Sequence, residues 1–212
     1  YKSHPNNTKG LDFINPNEAA TEIVKELKNQ ADFIIALTHL GLDAGSEFTS
    51  EQLAREVTGI NLIIDGHSHT KLAEGKIVGS TLIVQAEDYN KYLGQVDITF
   101  TPTGAEMKAS LISKEDAANI DGDPEIIQLI AAENKSQGNI LETVIGTTTV
   151  ELVGERQYVR AGETNLGNLL TNAMRTLSGA DIALTNGGGI RASIDIGEIT
   201  LEEVLEVLPF GN

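Results

Sequence analysis

The chain has 212 residues, 40% of them hydrophobic, with 15 Lys and Arg against 31 Asp and Glu, a formal net charge of −16, and no cysteine. That content supports one large domain or two small ones and excludes low-complexity disorder, a disulfide framework, thiolate metal sites and a cysteine nucleophile. The acidic field disfavours a nucleic-acid polymer and anionic lipid, so any anionic ligand must be met by local positive groups.

No apolar run approaches the roughly 18 residues of a membrane span, and no stretch reads as a signal peptide. Asn15-Pro16-Asn17-Glu18 reads as a helix start, followed by an apolar stripe of Ala20, Ile23, Val24 and Leu27. Phe33 to Leu37 is a continuous apolar run, expected to form a strand buried on both faces. Thr49-x-x-Gln52 resembles a capping box opening a helix through about Val57. Leu62-Ile63-Ile64, Thr81 to Val84 and Gln95 to Phe100 read as further strands of an α/β layered domain. Residues 111–122 are polar and mixed, a plausible domain exit. Asp123-Pro124-Glu125 caps a helix through about Lys135 that Gly138 ends. Beyond it, Thr147 to Val153 is expected as a strand and Asn165 to Leu177 as a helix with Leu166, Leu169, Leu170, Ala173 and Leu177 on its apolar side. Asp181 to Leu184 is expected as a strand, and Thr200-x-x-Glu203 as the capping box of a helix stopping before Pro209.

Three of the four histidines follow apolar strand patterns: His39 after Phe33–Leu37, and His67 and His69 after Leu62–Ile64. Sites in α/β sheets form beyond the carboxyl ends of strands. Neutral imidazole is a common ligand for Zn, Mn, Fe or Ni. A lone loop histidine is ordinary, but three at equivalent strand ends point to a metal site; His4, in a polar N-terminal stretch, keeps the ordinary reading. Gly66 lets the backbone turn where a side chain would clash. Asp65 reads equally as an outer partner that orients a ligand or as a simple turn acid. The third strand end, Ala183 to Arg191, carries Gly187-Gly188-Gly189, which allow close backbone approach to a ligand, and Arg191, a bidentate fork for an anion. Arg156 and Arg160 upstream join it as a local anion trap, or serve as surface counter-charges.

Five motifs occur in order: Thr38-His39-Leu40-Gly41, Asp65-Gly66-His67-Ser68-His69-Thr70, Thr164-Asn165-Leu166-Gly167-Asn168, Asn186-Gly187-Gly188-Gly189-Ile190-Arg191 and Leu208-Pro209-Phe210-Gly211-Asn212. Together they resemble the 5′-nucleotidase family, which includes UDP-sugar hydrolases and 2′,3′-cyclic-nucleotide phosphodiesterases. The resemblance implies an α/β fold: the C-terminal half of a four-layer α+β metallophosphatase domain over residues 1–113, a linker helix over 114–138, and the N-terminal part of an α+β substrate-specificity domain over 139–212. It implies two divalent metal ions (Zn, Mn or similar), one held by His39 and His67 and the other by His69. It further implies substrate contacts from Arg156, Arg160, Asn186, Gly188, Arg191 and Phe210, the last stacking on a base. The family's remaining ligands and catalytic His-Asp pair lie upstream of the equivalent of Tyr1. The resemblance therefore implies an internal fragment, inactive alone, without catalytic residues, and needing the remainder of the same polypeptide to complete the site.

The implied activity is metal-dependent hydrolysis of 5′-nucleotides to nucleoside and phosphate. Hydrolysis of UDP-sugars or 2′,3′-cyclic nucleotides is the alternative within the family, and a non-catalytic nucleoside-binding or structural fragment the alternative outside it. The partner is a nucleotide rather than a nucleic-acid polymer, and the implied setting is extracellular, cell-wall-attached or periplasmic.

Overall fold

The computed structural model describes residues 5–137 and 140–210, so His4, Gly138, Gly211 and Asn212 lie outside the described residues. The fold is mixed α/β and divides into two compact units after Ile120.

The first unit opens with α1 (Pro16–Leu27), whose Asn15 cap accepts from the Asn17 amide and whose proline sits where no helical N–H is needed. Asn17 Nδ2 donates to Glu56 Oε2 at 2.7 Å, tying α1 to α2 (Ser50–Glu56). The capping box of α2 forms as its sequence predicts, Thr49 and Gln52 satisfying each other's backbone amides. Four strands make one sheet: β1 (Ile35–Leu37), β2 (Leu62–Ile64), β3 (Lys76–Val78) and β4 (Thr81–Val84), in the order β1-β2-β4-β3. β1, β2 and β4 run parallel, with Ala36 opposite Ile63 and Ile63 opposite Ile83; β3 is antiparallel. Ile63, Ile83, Val57, Ile60 and Leu53 form the core, with Val24 reaching it from α1. A long hairpin follows, β5 (Tyr92–Thr101) and β6 (Gly104–Ser113), then the short α3 (Lys114–Ala117).

The expectation that Phe33–Leu37 is buried on both faces is corrected. The strand is only Ile35–Leu37, and Leu37 is 84% exposed. β1 is the edge strand, hydrogen-bonded on one side to β2. An unbroken apolar run specifies an apolar strand but not its place in the sheet.

At the far edge of the sheet, Glu51 bonds both Lys76 and Arg55. The Lys76 ammonium beside it, with Arg55 a smaller contributor, holds the Glu51 carboxyl below its ordinary 4.5. Both partners are well exposed, so screening limits the effect, and Glu51→Gln is expected to lower stability by roughly 0.5 kcal/mol at pH 7. A carboxylate with a depressed folded pKa stabilises above its unfolded value and loses that contribution as pH falls through the folded one. The gap between wild type and variant in denaturant titrations should therefore close in acid; a gap that widens would contradict it.

The second unit contains α4 (Pro124–Gln137), β7 (Val144–Thr148), α5 (Arg156–Val159), α6 (Asn165–Ser178), β8 (Gly197–Thr200) and α7 (Leu201–Val207). Asp123 caps α4 through the Glu125 and Ile126 amides. β7 and β8 pair antiparallel, and Leu152, Val159, Leu166, Ile190, Ile194 and Val207 form the core. Thr200 and Glu203 make the expected capping box of α7. Two expectations are corrected. The strand assigned to Thr147–Val153 begins earlier, and Leu152 instead makes a lone bridge to Ile194. Asp181–Leu184 forms no strand among the described residues, and Leu184 is 89% exposed. Of the apolar side of α6, Leu166 is buried while Leu169 and Leu177 are exposed.

Candidate functional site

Because β1, β2 and β4 are parallel, their carboxyl ends lie along one edge of the sheet, and each feeds a loop carrying polar side chains. His39 follows β1, and Gly66 to His69 follow β2. The rings of His39 and His67 meet edge to face, centroids 5.2 Å apart at 76°. Gly66 is required by this approach, not by a positive φ: a Cβ there would come within 2.9 Å of His39 Nδ1. His67 and His69 themselves have φ of 73° and 56°, in the left-handed region that side-chain-bearing residues rarely occupy. Such backbone costs on the order of 1–3 kcal/mol per residue and persists only when its surroundings over-determine it.

A buried polar network supplies that determination. Gln85, 3% exposed at the end of β4, accepts from Ser68 Oγ at 3.1 Å and from the Thr70 amide, pinning the loop on both sides of His69. Its amide nitrogen reaches Asp65 Oδ2 at 3.4 Å. Asp65 Oδ1 accepts from Thr38 Oγ1 at 2.9 Å and from the amides of Leu40 at 3.0 Å and Gly41 at 3.3 Å. Asp65 thus tethers the chain on either side of His39. Ser68 Oγ accepts from the Leu42 amide at 3.1 Å, joining the two loops again.

His69 faces a different partner from His67. Its Nδ1 lies 2.7 Å from Asp88 Oδ2, and its ring meets Tyr89 edge to face at 6.2 Å. Lys91 Nζ stands 3.0 Å from Asp88 Oδ1 and 2.8 Å from Glu87 Oε1, and these two carboxylates hold its ammonium well above the usual lysine range. Sequence reasoning missed Gln85 and Asp88. The strand-end rule that found His39 and His67 also applies to Thr81–Val84, and the four residues after it include both.

Among the described residues no group of three or more His, Asp or Glu is placed to hold one metal ion. What is present is an imidazole pair and a third imidazole backed by a carboxylate. Both arrangements suit a divalent cation of Zn or Mn type: imidazole is a preferred donor, and a ligating histidine ordinarily gives its other ring N–H to a carboxylate or carbonyl. The donors fit such an ion in part, with further ligands needed to fill a tetrahedral shell.

In the second unit the Gly187–Gly189 turn gathers several nominated residues. It is a 3₁₀ turn whose Asn186 side chain accepts from the Gly188 amide at 3.1 Å. Arg191 Nη1 donates to the Gly188 carbonyl at 3.2 Å, and its guanidinium carbon lies 5.6 Å from the centre of the Phe210 ring. Arg160 Nη2 lies 3.4 Å from where a Gly188 Cβ would be. Two guanidiniums and an amide side chain thus gather at one glycine, and the Phe210 ring, 64% exposed, lies beside one of the guanidiniums. Arg156 starts α5, a turn before Arg160. A cavity of about 260 Å³ opens beside the turn, bordered by Thr164, Asn168, Thr171, Thr185 and Gly187, and none of the six nominated residues lines it.

Residues 144–212 match the family model of the 5′-nucleotidase C-terminal domain. The trifunctional nucleotide phosphoesterase protein YfkN of Bacillus subtilis is 39% identical over 96% of this chain and 14% of its own length. Protein UshA of Yersinia enterocolitica is 31% identical over 95% of this chain and 44% of its own. The solved structure of a 5′-nucleotidase precursor from Thermus thermophilus superposes with a TM-score of 0.78 at 35% identity, over 94% of this chain and 43% of that one. An α/β unit with histidine-bearing strand ends, followed by a unit of this matched domain type, defines the class. Residues 144–212 are of the 5′-nucleotidase C-terminal domain type, and the chain as a whole is similar to these phosphoesterases while spanning less than half their length.

Proposed function

We propose that the chain serves a metal-dependent phosphomonoesterase that hydrolyses 5′-nucleotides to nucleoside and phosphate. The observation carrying this reading is the His39–His67 imidazole pair at adjacent parallel strand ends, in a chain whose likeness is to nucleotide phosphoesterases. When bound, divalent cations supply Lewis-acid stabilisation of charge on phosphoryl oxygens. His39 and His67 hold one such ion and His69 a second. Arg156, Arg160 and Arg191 offer donors to anionic oxygens, with Gly188 allowing close backbone approach. The Asn186 amide and the Phe210 ring take the nucleoside by hydrogen bonding and stacking. Two imidazoles fill two of the four positions zinc prefers, and in this reading the remainder of the same polypeptide completes the protein ligands. The likeness to the family is the support for an extracellular, cell-wall-attached or periplasmic setting.

Phosphate release by the complete gene product from AMP, a UDP-sugar and a 2′,3′-cyclic nucleotide, with Zn²⁺ or Mn²⁺, tests the proposal. AMP cleavage is expected, falling at least about 100-fold in His67→Ala, more than the loss typical of an outer partner of a ligand. Cleavage confined to the UDP-sugar or the cyclic nucleotide would reassign the substrate. No cleavage of any of the three, or cleavage indifferent to the variant, would overturn the reading.

A further inference from the structure

Resting on the metal-binding reading above, we infer that Asp88 is a positioning residue that sets which nitrogen of His69 can ligate. The 2.7 Å approach of His69 Nδ1 to Asp88 Oδ2 has one chemically sensible description. A carboxylate oxygen only accepts, so a proton lies on Nδ1, and Nε2 is the nitrogen left to ligate when the ring is neutral. Asp88 is itself fixed. Its second oxygen meets Lys91 Nζ at 3.0 Å, and Lys91 is held in turn by Glu87 at 2.8 Å. Both members of the His69–Asp88 pair are largely shielded, with side-chain exposures of 26% and 17%.

The backbone shows that the pair is built rather than incidental. His69 is left-handed at φ 56°, and so are Glu87, Tyr89 and Asn90 on the opposing loop, at 62°, 49° and 54°. Four residues with side chains adopt a disfavoured conformation on the two segments that carry this one contact. The segments are also joined directly, through the Glu87 amide to the Thr70 carbonyl at 3.2 Å and the Lys71–Ala86 bridge. Tyr89 closes on the His69 ring edge to face and limits its rotation. Together these hold the imidazole in one tautomer and one plane, which is what an outer carboxylate does for a ligating histidine.

The test is ¹⁵N–¹³C correlation of the histidine rings at pH 8 in the complete gene product, its Asp88→Ala and its Asp88→Asn variants, each titrated with Zn²⁺. The wild-type His69 ring should show the Nδ1–H tautomer, Asp88→Ala should shift it toward Nε2–H, and Asp88→Asn, which keeps an acceptor oxygen, should retain most of the wild-type signature. Zn²⁺ should move Nε2 of His69, and Asp88→Ala should weaken that response about 10- to 100-fold. A wild-type ring already in the Nε2–H form, or one unchanged by Asp88→Ala, overturns the inference without need of any metal. If Zn²⁺ moves His39 and His67 but binds equally well at His69 in Asp88→Ala, the inference fails while the functional reading stands. If Zn²⁺ moves none of the three rings, the functional reading fails, whatever tautomer His69 adopts.

Discussion

Asp65→Ala is expected to destabilise the first unit by about 3 kcal/mol while leaving the second unfolding as before. Asp65 Oδ1 receives Thr38 Oγ1 and the Leu40 and Gly41 amides, and Oδ2 receives Gln85 Nε2. Thr38 spends its proton on Asp65, so Ser50, fully buried, is the donor of the 3.1 Å Ser50–Thr38 bond. Removing the carboxylate leaves donors from four residues without their acceptor, each worth about 1–3 kcal/mol if it stays dry. Water entering the space left behind recovers part of that, which is why the expected loss is well below the sum. Asp65→Asn separates the contributions. Its carbonyl can serve Thr38, Leu40 and Gly41, but its NH₂ then faces Gln85 Nε2. Gln85 cannot turn over, because its oxygen is held by Ser68 and Thr70. The asparagine variant should therefore lose only about half as much. Far-UV circular dichroism during denaturant unfolding checks both. A loss under about 1 kcal/mol for the alanine variant, or equal losses for the two, would show that Asp65 does not organise the loop.

The same residue shows what was legible in the sequence and why the rest was not. That Asp65, His67 and His69 follow a buried strand is local information, and parallel strands then align those loops at one edge without further instruction. Whether Asp65 addresses a ring or a backbone is not local: its partners are 20 to 27 positions away in sequence. Gly66 looked like a turn residue, yet its constraint comes from the ring of His39 in the loop after β1. Gln85 and Asp88 went unnoticed because neither residue type stands out alone, and their function lies in contacts to the loop after β2. Local signals served best where the physics is local. The capping boxes at Thr49 and Thr200 formed as read, because a cap and its partner sit three residues apart. They served worst at Leu37 and Asp181–Leu184, where apolar character suggested strands without saying whether a neighbour would pair with or cover them.

Gly187→Ala is expected to destabilise the second unit by more than about 3 kcal/mol, whereas Gly188→Ala, its neighbour, should change stability by less than about 1 kcal/mol. A Cβ on Gly187 would stand 2.0 Å from the Val159 carbonyl oxygen and 2.9 Å from its carbon. Carbon and oxygen in ordinary contact lie roughly 3.3 Å apart, so the turn and the end of α5 would have to separate by about 1.3 Å. Both sides of the clash are backbone, and no rotamer relieves it. Val159 at the contact and Ile190 just after the turn belong to the core, so the displacement would open packing that includes Leu166 and Val207. A Cβ on Gly188 would instead meet the ends of Arg160 and Asn186 at 3.4 Å, ordinary contact with side chains that can move. That substitution falls on the residue around which Arg160, Asn186 and Arg191 gather, so it should weaken AMP binding without loosening the fold. Denaturant midpoints and AMP titrations on both variants separate scaffold from recognition at adjacent positions. A Gly187→Ala protein as stable as wild type would mean that the α5–turn contact is not close-packed. Unaltered AMP affinity in Gly188→Ala would remove this glycine from the nucleotide site.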